Sequence, residues 1–470
     1  MLKLAYFSAV LFLFLSCHNP PAATTYDYLL SNDNDLIIPP SGAENNWLTI
    51  IGGNHTGQFY VSPNGNDQNP GSFDQPFRTI AYAVTRLAPG DTLVVLARVP
   101  GNKPVIAGEN NLLCAFDIAN CRYLRIENLE ITSANKARFR EAIAGTAGPV
   151  EQVILKDLDI HHIDEFGIDI GDAHNLQIIN CQITYCGFGA MGGPAGTQGG
   201  WRNVLIDNCD LSYSGHYYQG GDGSNRPYDR PDGFGIEASA GPIEIRNTTA
   251  THNYGDGLDS KAAHTYLHEC LIANNSCDGV KLWGDSSRVE NALIYGRGDG
   301  DATPTPWAPL VISTEKPNAH FALINCTVDD TVGENYLMHV QYDNPTIPVS
   351  LQIVNTIFSS RGNNAPVIWL ADSVRYEVTN NLFYAPKDER LLIQGDTTTY
   401  TAAAVGQIGT GNIYGNPQFI AVGWGNEGNY HLNAASPAID AGATHPAPSI
   451  DLDKIPRPRG NGVDIGCYEQ

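Results

Sequence analysis

A six-residue pattern recurs along the middle of the chain: an apolar residue, any residue, Asn (or Asp or Glu), any two residues, and another apolar residue. The first copy occupies 126–131 and the last 378–383, with a few tens of positions from each copy to the next. Short apolar strands that return at such an interval are typical of a solenoid protein. The longer stripes of helical repeats are absent from the sequence. The third positions of the ten copies are Asn128, Asp157, Asn180, Asn208, Asn247, Glu269, Asn291, Asn325, Asn355 and Asn380.

This periodicity predicts an all-β chain that forms a right-handed parallel β-helix of about ten coils, with loops at the turns where the interval is longer. Recurrent Asn at one turn is expected to form a ladder of stacked amides along the axis. The residue after each ladder position is Cys, Leu, Ala or Thr in most copies, which indicates a buried interior column and favours free thiols there. The cysteines of this column are Cys181, Cys209, Cys270 and Cys326, and spacing leaves Cys114/Cys121 and Cys270/Cys277 open as disulfides.

Both ends of the predicted β-helix carry candidate caps. Apolar residues recur with helical spacing between Phe77 and Leu87, ahead of Pro89, which predicts a short N-terminal capping helix. Residues 59–80 resemble the N-terminal segment of many secreted bacterial β-helix proteins. Residues 429–442 and 463–469 resemble the C-terminal closing segment of the same broad group. These resemblances concern architecture and carry no chemistry.

The N-terminal stretch at 1–17 has the pattern of an export signal. Lys3 precedes an apolar run from Leu4 to Leu15, which is too short to span a membrane, and Ser16-Cys17 then completes a stretch that resembles a bacterial lipobox. An ordinary signal peptide with a chance Cys is the alternative. We expect an exported bacterial lipoprotein at the outer membrane or cell surface, monomeric and attached to the membrane only through its lipid. The predicted divisions are a signal peptide at 1–17, a tether at 18–56, the β-helix with its cap at 57–415 and a closing segment at 416–470.

Composition narrows the possible partners. The 470 residues carry a formal net charge of −23, which argues against nucleic acid or an anionic membrane as the main partner. A polyanionic substrate is still compatible with this charge if a divalent cation mediates the contact.

Three stretches of the predicted helix align on an Asp-Gly pair that returns once in each coil. Equivalent positions on adjacent coils stack about 4.8 Å apart, and side chains along a strand alternate inward and outward. We therefore expect a column of Asp beside an outward strip of Asp, Glu, Lys and Trp, with Asp169 of an earlier strand beneath Glu237. The stretches are DGFGIE (232–237), DGLDSK (256–261) and DGVKLW (278–283), and the column is Asp232, Asp256 and Asp278.

Two interpretations of this strip are open. Lys281 over Asp259 and Lys261 over Glu237 would be ordinary cross-strand pairs worth less than ~1 kcal/mol, and Asp-Gly is a common turn pair. Alternatively, the carboxylates supply the hard oxygen ligands that Ca²⁺ requires, and the cation lowers the pKa of a neighbouring lysine so that it can act as a base. A cation that also neutralises a uronate carboxylate provides what β-elimination of a uronic-acid polymer needs. The candidate ligands are Asp232, Asp256, Asp259 and Asp278, and the candidate bases are Lys281 and, as its substitute, Lys261.

These residues resemble the calcium-dependent pectate lyases of polysaccharide lyase family nine. Asp232 resembles the first element of that family's site, 255–259 its DDGxD-type calcium cluster, and 279–284 its lysine-bearing strand. The resemblance implies a parallel β-helix lyase in which Asp232, Asp256 and Asp259 bind calcium and Lys281 is the base. Gly255 departs from the pattern, because the family has a carboxylate at that position. The match is confined to the part of the chain between 232 and 284.

Loops beside the strip could contact an acidic polysaccharide. The long interval between Asn208 and Asn247 brings aromatic and basic side chains next to the site, and a solvated loop without a binding role is the alternative. The candidate substrate-binding residues are Trp283, Glu237, Arg230, Tyr228 and His216.

Three functions remain open from sequence. The first is the lyase with Lys281 as base. The second is a β-helix glycoside hydrolase that uses two carboxylates as acid and base. The third is a non-catalytic glycan-binding protein of the cell surface. The carboxylates available to the hydrolase are Asp169, Glu237, Asp256 and Asp259.

Overall fold

The structure is a computed structural model with side chains. It describes residues 57–88, 91–96, 103–107, 112–133, 139–220, 230–296, 308–330, 336–361, 365–423 and 428–470, together with the backbone of one strand at Trp47–Gly52. The predicted signal peptide, most of the tether and Tyr228 lie outside these residues, so those predictions stay predictions. No helix in the described ranges is long and apolar enough to cross a membrane.

Three long sheets form the walls of a parallel β-helix, and each coil adds one strand to every sheet in the order first, second, third. The strands of the first sheet are β1 (Trp47–Gly52), β2 (Gln58–Val61), β3 (Thr92–Leu96), β6 (Leu124–Glu127), β9 (Val150–Lys156), β12 (Ala173–Ile179), β15 (Trp201–Arg202), β16 (Val204–Asp207), β19 (Ile243–Arg246), β22 (Thr265–His268), β25 (Arg288–Glu290), β28 (His320–Ile324), β31 (Val349–Val354) and β34 (Val374–Thr379).

The second sheet follows the ladder turn of each coil. Its strands are β4 (Val105–Ala107), β7 (Glu130–Thr132), β10 (Asp159–Ile163), β13 (Gln182–Cys186), β17 (Asp210–Ser212), β20 (Thr249–Thr251), β23 (Leu271–Ala273), β26 (Leu293–Tyr295), β29 (Thr327–Asp330), β32 (Ile357–Ser360), β35 (Leu382–Tyr384) and β38 (Ile413–Tyr414).

The third sheet carries the candidate chemistry. Its strands are β5 (Leu112–Asp117), β8 (Phe139–Gly145), β11 (Phe166–Ile170), β14 (Gly189–Gly193), β18 (Asp232–Ser239), β21 (Leu258–Ala262), β24 (Val280–Leu282), β27 (Leu310–Ile312), β30 (Met338–Val340), β33 (Ile368–Leu370), β36 (Arg390–Gln394) and β37 (Thr398–Thr401). Ten consecutive described coils, from β6 to β36, supply a strand to all three sheets, which confirms the predicted coil number.

The recurring Asn marks the turn between the first and second sheets. All ten predicted ladder positions have positive φ, between 48° and 59°, a conformation that Asn tolerates better than most residues. The amide hydrogen bonds of the ladder form where Asn208 Nδ2 donates to Asn180 Oδ1 at 2.8 Å and Asn355 Nδ2 to Asn325 Oδ1 at 3.1 Å. Asn247 departs from the ladder and donates to Asp207 Oδ1 instead.

The cysteine column is interior, as predicted. Cys181, Cys209, Cys270 and Cys326 are all buried, and every cysteine in the described residues is a free thiol. The two pairs left open as disulfides from spacing, Cys114/Cys121 and Cys270/Cys277, are not bonded.

Short helices close both ends of the core. Helix α1 (Ile80–Val84) begins after Thr79, whose hydroxyl accepts a hydrogen bond from Tyr82 N, and it buries Ile80 and Ala83 against the first strands. It is shorter than the predicted stripe. At the other end a 3₁₀ turn (Ala402–Ala404) and α2 (Val405–Ile408), which the sequence did not predict, bury Ile408 in the same core.

The C-terminal segment lies along the flank of the β-helix. It contains the hairpin β39 (Phe419–Ala421) and β40 (Asn429–Leu432), and its later residues contact the ladder turns one after another. Asn355 Nδ2 donates to Ala443 O at 2.8 Å, and Asn325 Nδ2 donates to Gly466 O at 3.1 Å. The ladder amides of these coils therefore hold the tail in place.

Candidate active site

The three Asp-Gly stretches lie on adjacent strands of the third sheet, in the predicted register. Phe234 pairs with Leu258, and Leu258 with Val280, so the alignment on the Asp-Gly pair is confirmed. These three side chains are buried in the core, as the inward parity requires. Lys281 lies directly over Asp259.

Asp169 does not lie beneath Glu237, so that prediction is wrong. Strand β14 intervenes between β11 and β18, and Asp169 is in register with Gly192 and Gly235. The stretch GAMGG of β14 has no Asp-Gly pair, so the alignment passed over a whole coil. Asp169 is therefore remote from the carboxylates of β21.

The Asp column is built by backbone hydrogen bonds. Asp232 Oδ1 accepts from Asp256 N at 2.7 Å, and Asp256 Oδ1 accepts from Asp278 N at 2.8 Å. One oxygen of each of these two carboxylates thus fixes the start of the next strand, which is the turn chemistry of the simpler interpretation. The second oxygen of Asp256 is left to face the outward strip.

Lys281 joins the column to the strip. Its Nζ lies 3.2 Å from Asp256 Oδ2 and 3.1 Å from Asp259 Oδ2, and its side chain is only 11% exposed. The ammonium also lies 5.2 Å from the centre of the Trp283 ring, within the range of a cation–π contact. Two carboxylates and an aromatic ring therefore fix the position of the amine.

Three of the four predicted metal ligands converge. One oxygen from each of Asp232, Asp256 and Asp259 lies within 4.8 Å of the others, while Asp278 is not part of this group. Asp259 Oδ1 and Asp278 Oδ1 are buried and have no hydrogen-bond partner. Buried carboxylate oxygens without partners are costly, and hard oxygen donors are what Ca²⁺ coordinates. The residues present fit a hard divalent cation.

Burial and mutual repulsion shift the pKa values of this cluster. Burial and the nearby charge of Asp256 raise the pKa of Asp232 and of Asp278, and burial raises the pKa of Asp259 to about 6. Burial alone would lower the pKa of Lys281, but the charges of Asp256, Asp259 and Asp278 outweigh it and raise that pKa. The Lys281 ammonium is the positive charge that these carboxylates share.

Lys261, the substitute base, is placed differently. Its Nζ contacts Glu237 Oε1 and lies 4.0 Å from Asp259 Oδ2. Its side chain is 31% exposed, and that of Glu237 is 50% exposed. The pair matches the cross-strand interpretation, since it is open to solvent.

The predicted substrate contacts are only partly gathered. Trp283 packs beside Lys281, and the charge of exposed Arg230 acts on Asp278. His216 instead lies 4.0 Å from the ring of Tyr254, between ring centres, and its Nε2 contacts His252 O. It therefore packs on the turn ahead of β21.

The missing carboxylate at Gly255 has a steric cause. A Cβ at this position would lie 2.3 Å from Asp232 Oδ1 and 2.7 Å from the carbonyl carbon of Arg230. The space that a fourth carboxylate would need is already taken by Asp232 and the backbone before it. Calcium at this site would have to rely on the three convergent carboxylates.

Asp169, which the sequence offered to the hydrolase, has an acidic neighbour on the same sheet, Glu141, that sequence reasoning missed. Burial and the charge of Asp169 raise the pKa of Glu141 to about 8, and burial raises that of Asp169 to about 6. Next to them Arg140 Nη2 donates to Glu165 Oε2 at 2.8 Å. The strand alternation of β8 and β11 was the available signal, but neither strand belongs to the aligned repeats.

Comparisons with known proteins confirm the fold. The family model of the right-handed β-helix region matches residues 114–296. The chain is similar to the uncharacterized protein YwoF of Bacillus subtilis (strain 168), with 26% identity over 148 aligned residues and a coverage of 25% of this chain. That match spans 31% of the relative's length.

Solved structures extend the comparison. A structure of XylC with xylose matches with a TM-score of 0.55 and 11% identity, over 88% of this chain and 99% of the other. Pectate lyase Pel9A matches with a TM-score of 0.49 and 15% identity, over 89% and 98%. Together with the family model, the XylC match establishes a right-handed parallel β-helix. The chemistry has to be argued from the geometry of the site.

Proposed function

We propose that the protein is a calcium-dependent polysaccharide lyase that cleaves a uronic-acid-containing, pectate-like polysaccharide by β-elimination, with Lys281 as the base. One observation carries the proposal: Lys281 Nζ lies 3.1–3.2 Å from two of three convergent carboxylates on the outer face of the third sheet. A cross-strand ion pair would need one carboxylate, whereas three that converge beside one amine exceed what neutralisation requires.

The side chains have distinct tasks in this proposal. Asp232, Asp256 and Asp259 would hold the cation, and Asp278 supplies a further buried oxygen nearby. Calcium, when bound, would neutralise the uronate carboxylate, acidify the adjacent C5 proton and offset the charges that now raise the pKa of Lys281. Lys281 Nζ, in its deprotonated form, would then accept the C5 proton. The C4–O bond would break to leave a C4=C5 double bond, and the departing oxygen would take a proton from water. Trp283 limits the positions that the amine can take and shields it from water on one side.

The net charge of −23 is consistent with such a substrate, since a cation would bridge two acidic partners. Lys261 is less suited to the base role, because it is more exposed and is paired with Glu237. Carboxylate pairs for a hydrolase are less favourably placed. Asp169 and Glu237 do not join Asp256 and Asp259, and these two carboxylates share the Lys281 ammonium.

The first experiment follows the near-ultraviolet absorbance of unsaturated uronates. A panel of pectate, rhamnogalacturonan, alginate and glycosaminoglycans is incubated with the protein in calcium and then in chelator. We expect absorbance to grow on at least one polymer and to stop with chelator. Chain shortening without absorbance would indicate the hydrolase instead, and binding without shortening would indicate a glycan-binding protein.

Lys281→Arg tests most directly whether Lys281 is the base. Arginine keeps the positive charge between Asp256 and Asp259 but does not release its proton in proteins. We expect an inactive protein with nearly unchanged thermal stability. Lys261→Arg is the matched control and should retain activity. An active Lys281→Arg variant would remove Lys281 from the mechanism.

We also propose that the chain is exported and anchored by a lipid on Cys17, on the sequence pattern alone. Expression in a bacterial host with Cys17→Ser should move the protein from the membrane fraction to the soluble exported fraction. An unchanged distribution would contradict lipidation.

A further inference from the structure

A group of aromatic rings lies on the same sheet as the candidate site, further along the β-helix. Lys281 is in register with Val311, Val311 with His339, and His339 with Trp369. At about 4.8 Å per strand, Trp369 stands roughly 14 Å from Lys281 along the sheet. Val311 and His339 are buried, so the rings form a separate surface.

Tyr342 is the exposed member of this group. It is 54% exposed, and its ring centre lies 5.2 Å from that of Trp369 at an interplanar angle of 68°. The Tyr336 and Trp369 rings lie 6.4 Å apart. An edge-to-face pair leaves a flat ring face uncovered, whereas a stacked pair would hide both inner faces. We call Tyr336, Tyr342 and Trp369 the aromatic platform.

The backbone holds Tyr342 in place. The preceding residue, Gln341, has φ of 59° and is fully buried. Its Oε1 accepts from Thr314 N at 2.7 Å, and its Nε2 donates to Ile347 O at 3.0 Å. Trp369 packs against the core. A ring that rises from fixed backbone and rests against the rings of Trp369 and His339 loses little conformational entropy on binding, which favours a recognition surface over an incidental exposure.

The surroundings of the platform favour a glycan over a protein partner. A stable protein interface buries about 800 Å² on each side and contains a contiguous apolar core. The other large hydrophobic side chains that are exposed among the described residues lie near the N-terminal end, as Tyr123 and Leu113 do, or at the C-terminal hairpin, as Ile420 does. A few rings beside exposed polar residues such as Asp343 and Thr346 match the alternating apolar faces and hydroxyl edges of pyranose rings.

We propose that the aromatic platform is a distal binding subsite, at which Tyr342 and Trp369 stack on pyranose residues of the polysaccharide whose reacting residue lies at Lys281. This inference rests on the proposed function for the identity of the glycan. It predicts that the protein binds long chains more tightly than short ones, because only a long chain reaches both surfaces at once.

The test measures binding in a Lys281→Arg background, so that turnover does not consume the probe. End-labelled polygalacturonate, alginate and rhamnogalacturonan, and trigalacturonate as the short chain, are titrated at fixed calcium and salt. We expect Tyr342→Ala to weaken binding of the favoured polymer about tenfold and to leave the short chain unchanged. Tyr123→Ala, which removes a 48% exposed tyrosine before β6 on the first sheet, is the matched control.

The outcomes separate the two proposals. Equal affinities of Tyr342→Ala and Tyr123→Ala for every polymer would overturn the platform, as would the absence of polymer binding by the parent. Equal losses on long and short chains would also overturn it, because the effect would then not be distal. A selective loss on the long chain, in a protein whose wild type forms no unsaturated product, would support the platform and reject the lyase.

Discussion

At the scale of single residues, Asp256 shows how structural and functional interpretations can both hold. Its Oδ1 accepts a hydrogen bond from the backbone N–H of Asp278, and its Oδ2 accepts one from Lys281 Nζ. An amide side chain could keep the first bond and would lose the negative charge that serves the second. The two tasks can therefore be separated by one substitution.

We expect Asp256→Asn to fold nearly as stably as the parent and to lose at least about a hundredfold in activity. Its oxygen still caps the next coil, but the charge that would hold a cation is gone. The melting temperature of the parent should rise with calcium, and that of the variant should not. Asp157→Asn, at a ladder turn away from the site, is the control, and its melting temperature should still rise with calcium. A rise with calcium in Asp256→Asn would contradict the ligand assignment.

Gly255 can be tested by introducing a carboxylate at this position. We expect Gly255→Asp to lower the free energy of unfolding by about 2 kcal/mol or more, because its Cβ would overlap Asp232 Oδ1. Calcium affinity should not increase, since Asp232 must move. Chemical denaturation and calcium titration check both statements. Gly406→Ala, in α2 with nothing within 4 Å of its added Cβ, is the control and should not destabilise the protein. Tighter calcium binding by Gly255→Asp would show that the site can accept a fourth carboxylate.

Glu141 gives the protein a pH dependence of stability. Its folded pKa of about 8 lies above the ordinary value of 4.5, mainly because burial disfavours the carboxylate. The unfolded chain therefore ionises first, and stability is lost as the pH rises from 4.5 to about 8. Relative to the parent, Glu141→Gln should gain at least about 1 kcal/mol between these limits. Glu315→Gln, at an exposed glutamate, is the matched control, and a pH-independent difference for Glu141→Gln would exclude this origin.

The residue scale also shows what the sequence could and could not predict of the site. The Asp column and Lys281 over Asp259 followed from the even recurrence of the Asp-Gly pair, because the connections between β18, β21 and β24 are nearly equal in length. Asp169 was misplaced because β14 lacks the aligned motif. The position of Asp278 outside the convergent group depends on side-chain directions that no spacing encodes.

At the scale of elements, the ladder turn determines the architecture. Its ten positive-φ positions explain why Asn recurs there, since other side chains are strained in the left-handed region. A pattern with such a strong conformational cause is readable from sequence, and the coil number was predicted from it. The helices at Ala402–Ile408 have no repeat to reveal them. Helix α1 is shorter than its predicted stripe, whose last residue, Leu87, packs against the core outside the helix.

Asn355 allows the conformational and hydrogen-bonding parts of the ladder to be separated. It has φ of 54°, donates to Asn325 and Ala443, and accepts from Ala443 N at 2.7 Å. Asn355→Gly removes the hydrogen bonds and keeps the backbone unstrained, whereas Asn355→Ala removes the hydrogen bonds and also strains the backbone. We expect losses of about 1–3 kcal/mol for Gly and about 1 kcal/mol more for Ala in thermal or chemical unfolding. Equal losses would show that strain at this turn is unimportant.

At the scale of the whole molecule, the C-terminal segment ties many coils together from the side. Lys454 contacts Asn247, and Asn380 Nδ2 donates to Ala441 O, so the segment touches turns along more than half of the described coils. A buried ion pair between Arg457 and Glu469, at 2.7 Å, fixes its path, and Arg457 also donates to Asn291. The sequence indicated a closing segment. Its lateral course depends on which ladder amides bind the tail. A repeat pattern does not distinguish the amides that bind the tail from those that bind only each other.

The net charge of −23 leads to a prediction about association with a polyanion. Both partners are acidic, so their long-range interaction is repulsive and screening by salt should reduce the barrier. We take the Lys281→Arg variant and the polyuronate that this variant binds. Their association rate should increase when monovalent salt is raised from 10 to 150 mM, because the Debye length falls from about 30 Å to about 8 Å. Stopped-flow fluorescence at constant free calcium measures the rate.

A neutral glycan of similar length is the matched control, and its association rate should hardly change with salt. A basic binding surface would give the opposite sign, because counterion release makes salt weaken such complexes. A steep fall of the association rate with salt would therefore show that a local positive surface, such as the neighbourhood of Arg230, dominates the encounter. The sign of the salt effect thus distinguishes a cation-bridged complex, in which the protein's own field opposes the substrate, from one steered by the chain's own arginines.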